Sequence, residues 1–459
     1  MKLLLSTLGL LGVAGISLLP IGTNKKDELV KKSDSKPVFT LPAKVTYAEH
    51  VAPILNTRCA PCHHPGAVGP FSLVGFENAK KHSATVANAA GERRMPPWKA
   101  VHGYGEFKDE NRLSDEQIAL IKKWSETGTS RGDQKLEPKA PTFSGEWQAG
   151  TPDIVLSPSK PFKLDEEGDD VYRNFVFDLG NTEPVYVRGM DVKPSNRKVV
   201  HHVIAFLDSS GRSAKFAEKS KDGQEGYTSS GGGIGTTPSG SLGGWAPGVT
   251  VAFADKGTAF KIAPGTKIVM QVHYHKSGKE EVDQTKLGLY VSKQAPEKQL
   301  EIFWAANPIF RIPPGADNHK VAWSERIPID STLYSVMPHM HLLGKSMKAK
   351  ITLPDGKDIP LVFVDKWDFN WQIVYQLKEP LFVPRGSRLS VEAFYDNSTK
   401  NPHNPREVPE AVGWGEQTTD EMALLVAVYA SGKPMTMQEQ MREKIQDRIQ
   451  QFLKGGGGK

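Results

Sequence analysis

Cysteine is nearly absent: the chain has two in 459 residues, Cys59 and Cys62. A disulfide-stapled scaffold is therefore excluded, and so is a zinc site needing a second cysteine pair. Aromatic residues are scarce at 8%, while 43 glycines and 33 prolines favour short strands and many turns over helical bundles. A large excess of one charge sign is missing too, with 58 Lys and Arg against 52 Asp and Glu. A formal net charge of +6 over this length makes no nucleic-acid stripe and suits solubility or docking with an acidic redox partner. Long hydrophobic runs are limited to Leu3 to Leu19, after Lys2, a stretch of about 17 residues. This run reads as a secretory signal peptide or an uncleaved membrane anchor within residues 1–22.

What the two cysteines do have is spacing. Cys59-Ala60-Pro61-Cys62-His63 is a CxxCH motif, the signature of covalent c-type haem attachment. Each thiol bonds one haem vinyl, and His63 offers its imidazole to the iron. The competing thioredoxin-like pair has no need of the histidine. Met95 is the candidate sixth ligand, in the loop Arg93-Arg94-Met95-Pro96-Pro97-Trp98, where the prolines forbid helix. His64, His82 and His102 are its rivals. Haem c is attached outside the cytoplasm in bacteria, so a periplasmic or cell-envelope location is expected. The stretch from His63 to the Met-Pro-Pro loop resembles small bacterial cytochrome c domains, a resemblance that extends over a module of about 90 residues and is most specific at the CxxCH.

Residues 23–40 are charged and read as a tether, 41–132 as a small all-α cytochrome c domain, and 133–146 as a linker. Ser114 with Gln117 forms a capping box, stapled by Leu113 and Ile118, for a helix that Gly128 stops. Ile118, Ile121 and Trp124 are its core-facing side. From Trp147 to Ser431 short apolar or alternating runs recur between turns, beginning at Val171, Val199, Lys267, Leu287 and Ala423. They predict two all-β jelly-roll or β-sandwich domains, 147–293 and 294–432. Gly223 to Gly248 reads as a long Gly/Ser-rich loop, functional or mobile. Residues 433–459 read as a helical tail, capped by Thr436 and Glu439, with Met437, Met441, Ile445, Ile449 and Phe452 packed on the protein.

Six of the 13 histidines fall in three groups within the strand-like runs: His201-His202, His273 with His275, and His339-Met340-His341. Residues i and i+2 of a strand share a face, so His339 and His341 make a natural chelate with Met340 turned away. His273 and His275 can do the same. His201 and His202 share a metal only where the strand bends or ends. One such pair alone is compatible with surface or core histidines; three groups without thiolates favour an imidazole-bound metal, copper above zinc or magnesium.

Six stretches, HHVIAF, GGWAPG (Gly243 to Gly248), QVHYH, MPHMH, FYDNS (Phe394 to Ser398) and TTDEM (Thr418 to Met422), occur in this order. Over about 150–430 the chain resembles the copper type II ascorbate-dependent monooxygenases, the family of peptidylglycine α-hydroxylating monooxygenase and dopamine β-monooxygenase. The resemblance implies two copper ions. His201, His202 and His273 match the electron-transfer copper, which selects His273 over His275. His339, His341 and Met422 match the catalytic copper that binds O2. Met422 on its own reads as a core methionine. The family's animal members are rich in disulfides, which this region lacks. Where the peptide-amidating members hold a substrate carboxylate with arginine and tyrosine, this chain has Met337 and Val426.

The expected activity is therefore hydroxylation of a C–H bond in a small, non-peptide organic substrate by O2. A periplasmic electron donor would feed the coppers through the fused haem in place of ascorbate. The alternative class is a copper and haem electron-transfer protein, or an oxidase that reduces O2 without hydroxylating anything.

Overall fold

The computed structural model describes residues 39–432 apart from 144–146, 230–232 and 248, together with 435, 439, 441–443, 445, 446 and 449. The leader and most of the tether and helical tail lie outside the described residues. The chain divides into Met1–Thr40 and Leu41–Lys459, and all that follows concerns the second unit. Among the described residues, no helix is long and apolar enough to cross a membrane.

A π-helical turn (Tyr47–Val51) leads into α1 (Ala52–Arg58), followed by α2 (Phe76–Lys81), α3 (Ser83–Gly91) and α4 (Asp115–Glu126). The capping box at the start of α4 forms in both directions, Ser114 Oγ accepting from Gln117 N–H and Gln117 Oε1 from Ser114 N–H. Trp124 and Ile121 are buried, with Tyr47, Val51 and Leu55 around Trp124 and with Leu113 and Ile118 near Ile121. The expected core side of this helix is the observed one.

The remainder is mostly β. The first half contains β1 (Ile154–Leu156), β2 (Phe162–Leu164), β3 (Val171–Asp178), β4 (Val185–Lys193), β5 (Val200–Asp208), α5 (Arg212–Lys219), β6 (Tyr227–Ser229), β7 (Gly240–Trp245), β8 (Thr258–Ile262), β9 (Lys267–Tyr274), β10 (Glu281–Asp283) and β11 (Lys286–Ser292). The second half contains β12 (Lys298–Ala306), β13 (Arg311–Ile312), β14 (His319–Arg326), β15 (Ser331–His339), β16 (Gly344–Thr352), β17 (Asp358–Val364), β18 (Tyr375–Val383), β19 (Arg388–Tyr395), β20 (Val412–Gly413) and β21 (Leu424–Ser431).

One eight-stranded sheet, β1-β11-β4-β8-β12-β21-β15-β18, runs through both halves, joined by the short parallel pairing of β8 with β12. A five-stranded sheet, β6-β3-β9-β5-β7, packs on its first half around Phe175, Val203, Met270 and Leu289. A four-stranded sheet, β14-β19-β16-β17, packs on its second half around Val336, Met347, Val391 and Leu425. These are two β-sandwiches sharing one layer. The opposite face of β5 and β9 is apolar as well: Phe206 and Val269 meet Ile234 and, from β12, Trp304. The two sandwiches therefore press together on that side, and side chains projecting there are buried by both.

Two expectations need correction. Gly223 to Gly248 is not one long loop, because it contains the edge strands β6 and β7. Arg173, fully buried, pins its first part through Asp222, Gln224 O, Glu225 O and Thr228. The helical module also touches the second sandwich. Its stretch between α3 and α4 lies along the second sandwich, with Ala100 bridged to Val364 and Phe107 to Leu377. In the tail, the described members of the apolar stripe, Met441, Ile445 and Ile449, are exposed rather than packed.

Candidate metal centre

The histidines meet because β5 is irregular where they occur. Its pairing with β9 runs Val200↔Tyr274 and then His202↔His273, so His201 is an extra residue in a bulge. That bulge supplies the bend two adjacent histidines need to face one way. His201 Nδ1 lies 3.1 Å from His202 Nδ1, and His273 Nδ1 lies 3.3 Å from His202 Nδ1. The three rings can hold a metal ion. His275, just past the end of β9, stays outside this group and is exposed.

Asp170 sets the chemistry of His273. Its carboxylate accepts from His273 Nε2 at 3.0 Å, from His275 Nδ1 at 2.8 Å and from the Thr418 hydroxyl at 2.8 Å. A carboxylate only accepts, so Nε2 carries a proton and Nδ1 is the ring nitrogen turned to the other two rings. Burial works to raise the Asp170 pKa. The bonds from His273 and Thr418 outweigh it and hold this carboxyl below its usual range. Tyr172 stacks on His273 at 4.2 Å and donates to Glu416 O.

His339 ends β15 and His341 follows it, their rings 5.2 Å apart and perpendicular. Met340 between them is fully buried in the second sandwich, turned away as strand alternation requires. His339 Nδ1 bonds to Gln372 Oε1 at 2.7 Å and His341 Nδ1 to Asp420 O at 3.1 Å. Both acceptors fix the proton on Nδ1 and leave Nε2 free. The β15–β21 register, Met337↔Val426 and His339↔Leu424, runs on towards His341 and Met422. Met422 is buried, and its carbonyl accepts from Tyr395 Oη. Glu421, fully buried, takes the N–H groups of His341, Leu343 and Met422 at 2.8, 2.6 and 3.2 Å. Burial nevertheless pushes its carboxyl up to about 8.

All four of these flanking histidines are held neutral. Burial lowers His201 to about 3 and His339 to about 4, and takes His202 and His341 well below 6.5. Neutral imidazole is the form that ligates metal. Phe369 stands between the two groups, stacked on His201 at 4.8 Å and edge-on to His341 at 5.8 Å.

At the CxxCH turn, both cysteines are free thiols. Burial, helped by Cys62, pushes the Cys59 thiol up to about 12, and burial raises Cys62 as well. A thioredoxin-like pair requires the opposite shift. His63 Nδ1 bonds to Phe71 O at 3.0 Å, leaving Nε2 available. His82 stacks on Phe71 at 4.0 Å, beside this turn. Met95 is half-buried in the loop after α3, with its N–H on Ala89 O. His64 stacks on Phe143, and His102 pairs with Glu110 at 3.3 Å.

Asp170, Gln372 and Phe369 were not legible as functional from the sequence. Asp170 and Phe369 have no local motif. Thr418, Asp420 and Glu421 lie within TTDEM, where only Met422 carried an assigned role.

No family model matches the chain. In structure it is weakly similar to the infectious bursal disease virus VP2 subviral particle, with 10% identity over 61% of this chain and 72% of that one, TM-score 0.19. It is similarly related to the major capsid protein P2 of bacteriophage PM2, with 10% identity, 61% and 97% covered, TM-score 0.23. A third such neighbour is N-glycanase F (PNGase F), with 13% identity, 61% and 96% covered, TM-score 0.25. At these TM-scores the likenesses carry no argument about function.

Proposed function

We propose that this chain is a copper-dependent monooxygenase that hydroxylates a C–H bond of an apolar, non-peptide substrate with O2. In this reading it is exported to a bacterial periplasm or envelope and receives electrons through a c-type haem. The observation that carries the reading is the pair of histidine groups brought to either side of Phe369. One group converges three Nδ1 atoms at 3.1 and 3.3 Å, and the other presents two free Nε2 atoms with both Nδ1 atoms already engaged.

His201, His202 and His273 would hold one copper and His339, His341 and Met422 the other; Cys59, Cys62 and His63 would hold the haem, with Met95 as its sixth ligand. When bound, the coppers supply one-electron chemistry towards O2 and the haem supplies an entry point for single electrons. The donor sets fit these groups. The imidazoles are oriented by Asp170, Gln372 and Asp420 O, and His63 is oriented by Phe71 O. His273, His339 and His341 are buried and His201 and His202 half-buried, which limits the access of water to the site.

The substrate side is argued from Met337 and Val426. They are cross-strand partners in an apolar cluster with Ile302, Trp304, Leu424 and Trp414. A carboxylate would find no cation in that cluster, whereas a hydrocarbon or aromatic surface is well matched.

Incubation of copper-loaded protein with 18O2 and candidate substrates tests the activity. Label in an organic product supports hydroxylation, peroxide alone makes the protein an oxidase, and neither leaves it an electron carrier. Met422→Ala and His341→Ala are expected to abolish turnover and remove one of two bound copper equivalents.

A further inference from the structure

The segment Trp367–Gln372, between β17 and β18, touches histidines of both groups. Phe369 lies against His201 and His341. Gln372 holds His339 through Oε1 and ties back to Phe369 O through Nε2 at 3.3 Å. Trp367 Nε1 donates to His341 O at 3.0 Å. Three of the five histidines therefore lean on a single short stretch of chain.

That stretch is fastened from outside the two sandwiches. Lys99 Nζ donates to the Asp368 carboxylate at 3.0 Å. The pair is largely shielded, the Lys99 side chain being 17% and that of Asp368 31% exposed. Lys99 belongs to the helical module and follows Met95 by four residues. Its neighbours are fixed on both sides. Trp98 meets Tyr375 edge-on at 5.2 Å, and Ala100 is bridged to Val364.

We infer that Trp367–Gln372 is a common mount for both histidine groups, and that Lys99 is a positioning residue which registers this mount to the helical module. The inference rests on reading the histidines as metal ligands. A shift at Asp368 passes directly to Phe369 and, through the Phe369 O–Gln372 bond, to His339. Loss of an Nδ1 partner changes the orientation and basicity of a ligating imidazole, which is why such outer partners affect metal affinity strongly. An ion pair acting only as glue would contribute little and would leave the metals undisturbed.

The test uses the full chain and Cu(II) alone. Titration of the wild type is measured first. Two bound equivalents are expected, and fewer would overturn the reading of the histidines, and this inference with it. In Lys99→Met and Asp368→Asn, copper affinity at the His339/His341 centre is expected to fall roughly 10-fold, with altered EPR hyperfine coupling. Lys99→Arg is expected to restore both. Unchanged affinity and EPR in Lys99→Met overturn the positioning role alone, even if its melting temperature drops. Should Lys99→Met fail to fold, Phe369→Leu gives the equivalent reading: perturbed signals from both centres are expected, and two unperturbed signals overturn the mount.

Discussion

Asp170 and Gly69 show how single residues govern the two kinds of site. Asp170 decides which nitrogen of His273 faces the other imidazoles, because its carboxylate claims Nε2. In Asp170→Asn the side chain can donate as well as accept, so the proton on His273 is no longer forced to Nε2. Copper affinity of the three-histidine group should fall about 10-fold, read by competitive titration, with little change at His339 and His341. Gly69 acts by having no side chain. A Cβ there would lie 2.6 Å from both His63 Nδ1 and Cys62 O. Gly69→Ala must therefore displace the imidazole or the turn, at a cost of about 1–3 kcal/mol. The expected result is less haem absorbance per polypeptide and a lower melting temperature, whereas an unchanged Soret band would show that His63 does not need this turn.

At the scale of elements, much of what positions the site was readable in advance, and the part that was not has a physical reason. The runs from Val171, Val199, Lys267, Leu287 and Ala423 became β3, β5, β9, β11 and β21, since a run buried from both sides tolerates few polar residues. The sequence also showed that adjacent histidines need a bent strand, but not that a bulge at His201 would provide it. A bulge depends on the partner strand's register, which is a non-local property. Gly223 to Gly248 misled for the same reason. Glycine-rich edge strands have weak local signals, and here β6 owes its place to Arg173 on β3, whose guanidinium satisfies the carbonyls of Gln224 and Glu225. Replacing Arg173 with Met would leave these carbonyls and Asp222 without it. Asp222 is exposed and is simply rehydrated, so the expected loss in urea unfolding is about 1–3 kcal/mol for each carbonyl left without this donor. A loss below about 1 kcal/mol would mean the segment is held by its own strand pairing instead.

For the molecule as a whole, the two sandwiches sharing the eight-stranded sheet bury His339 and His341 and half-bury His201 and His202, imidazoles that would otherwise titrate near 6.5. This makes stability depend on pH in a definite direction. His201 at about 3 and His339 at about 4, with His202 and His341 lower still than 6.5, are neutral when folded. Between pH 6.5 and about 4 the unfolded chain binds protons there that the folded chain does not, so stability falls as pH falls. At pH 5 the His201 and His339 rings each cost about 2 kcal/mol relative to pH 7, and His202 and His341 act in the same direction. Glu421 works the other way. Raised to about 8, it contributes most below 4.5 and loses that contribution as pH rises, so acidification from 7 to 5 returns about 3 kcal/mol. Four rings outweigh one carboxyl, and the metal-free protein should lose several kcal/mol over this interval, read as a lower urea midpoint. A variant carrying both His339→Gln and His341→Gln removes two of the four terms while the opposing Glu421 contribution stays, so it should flatten most of the profile. A metal-free wild type whose midpoint is the same at pH 7 and pH 5 would show that the imidazoles are not sealed between the sandwiches, and that water and protons already reach the place where copper is proposed to bind.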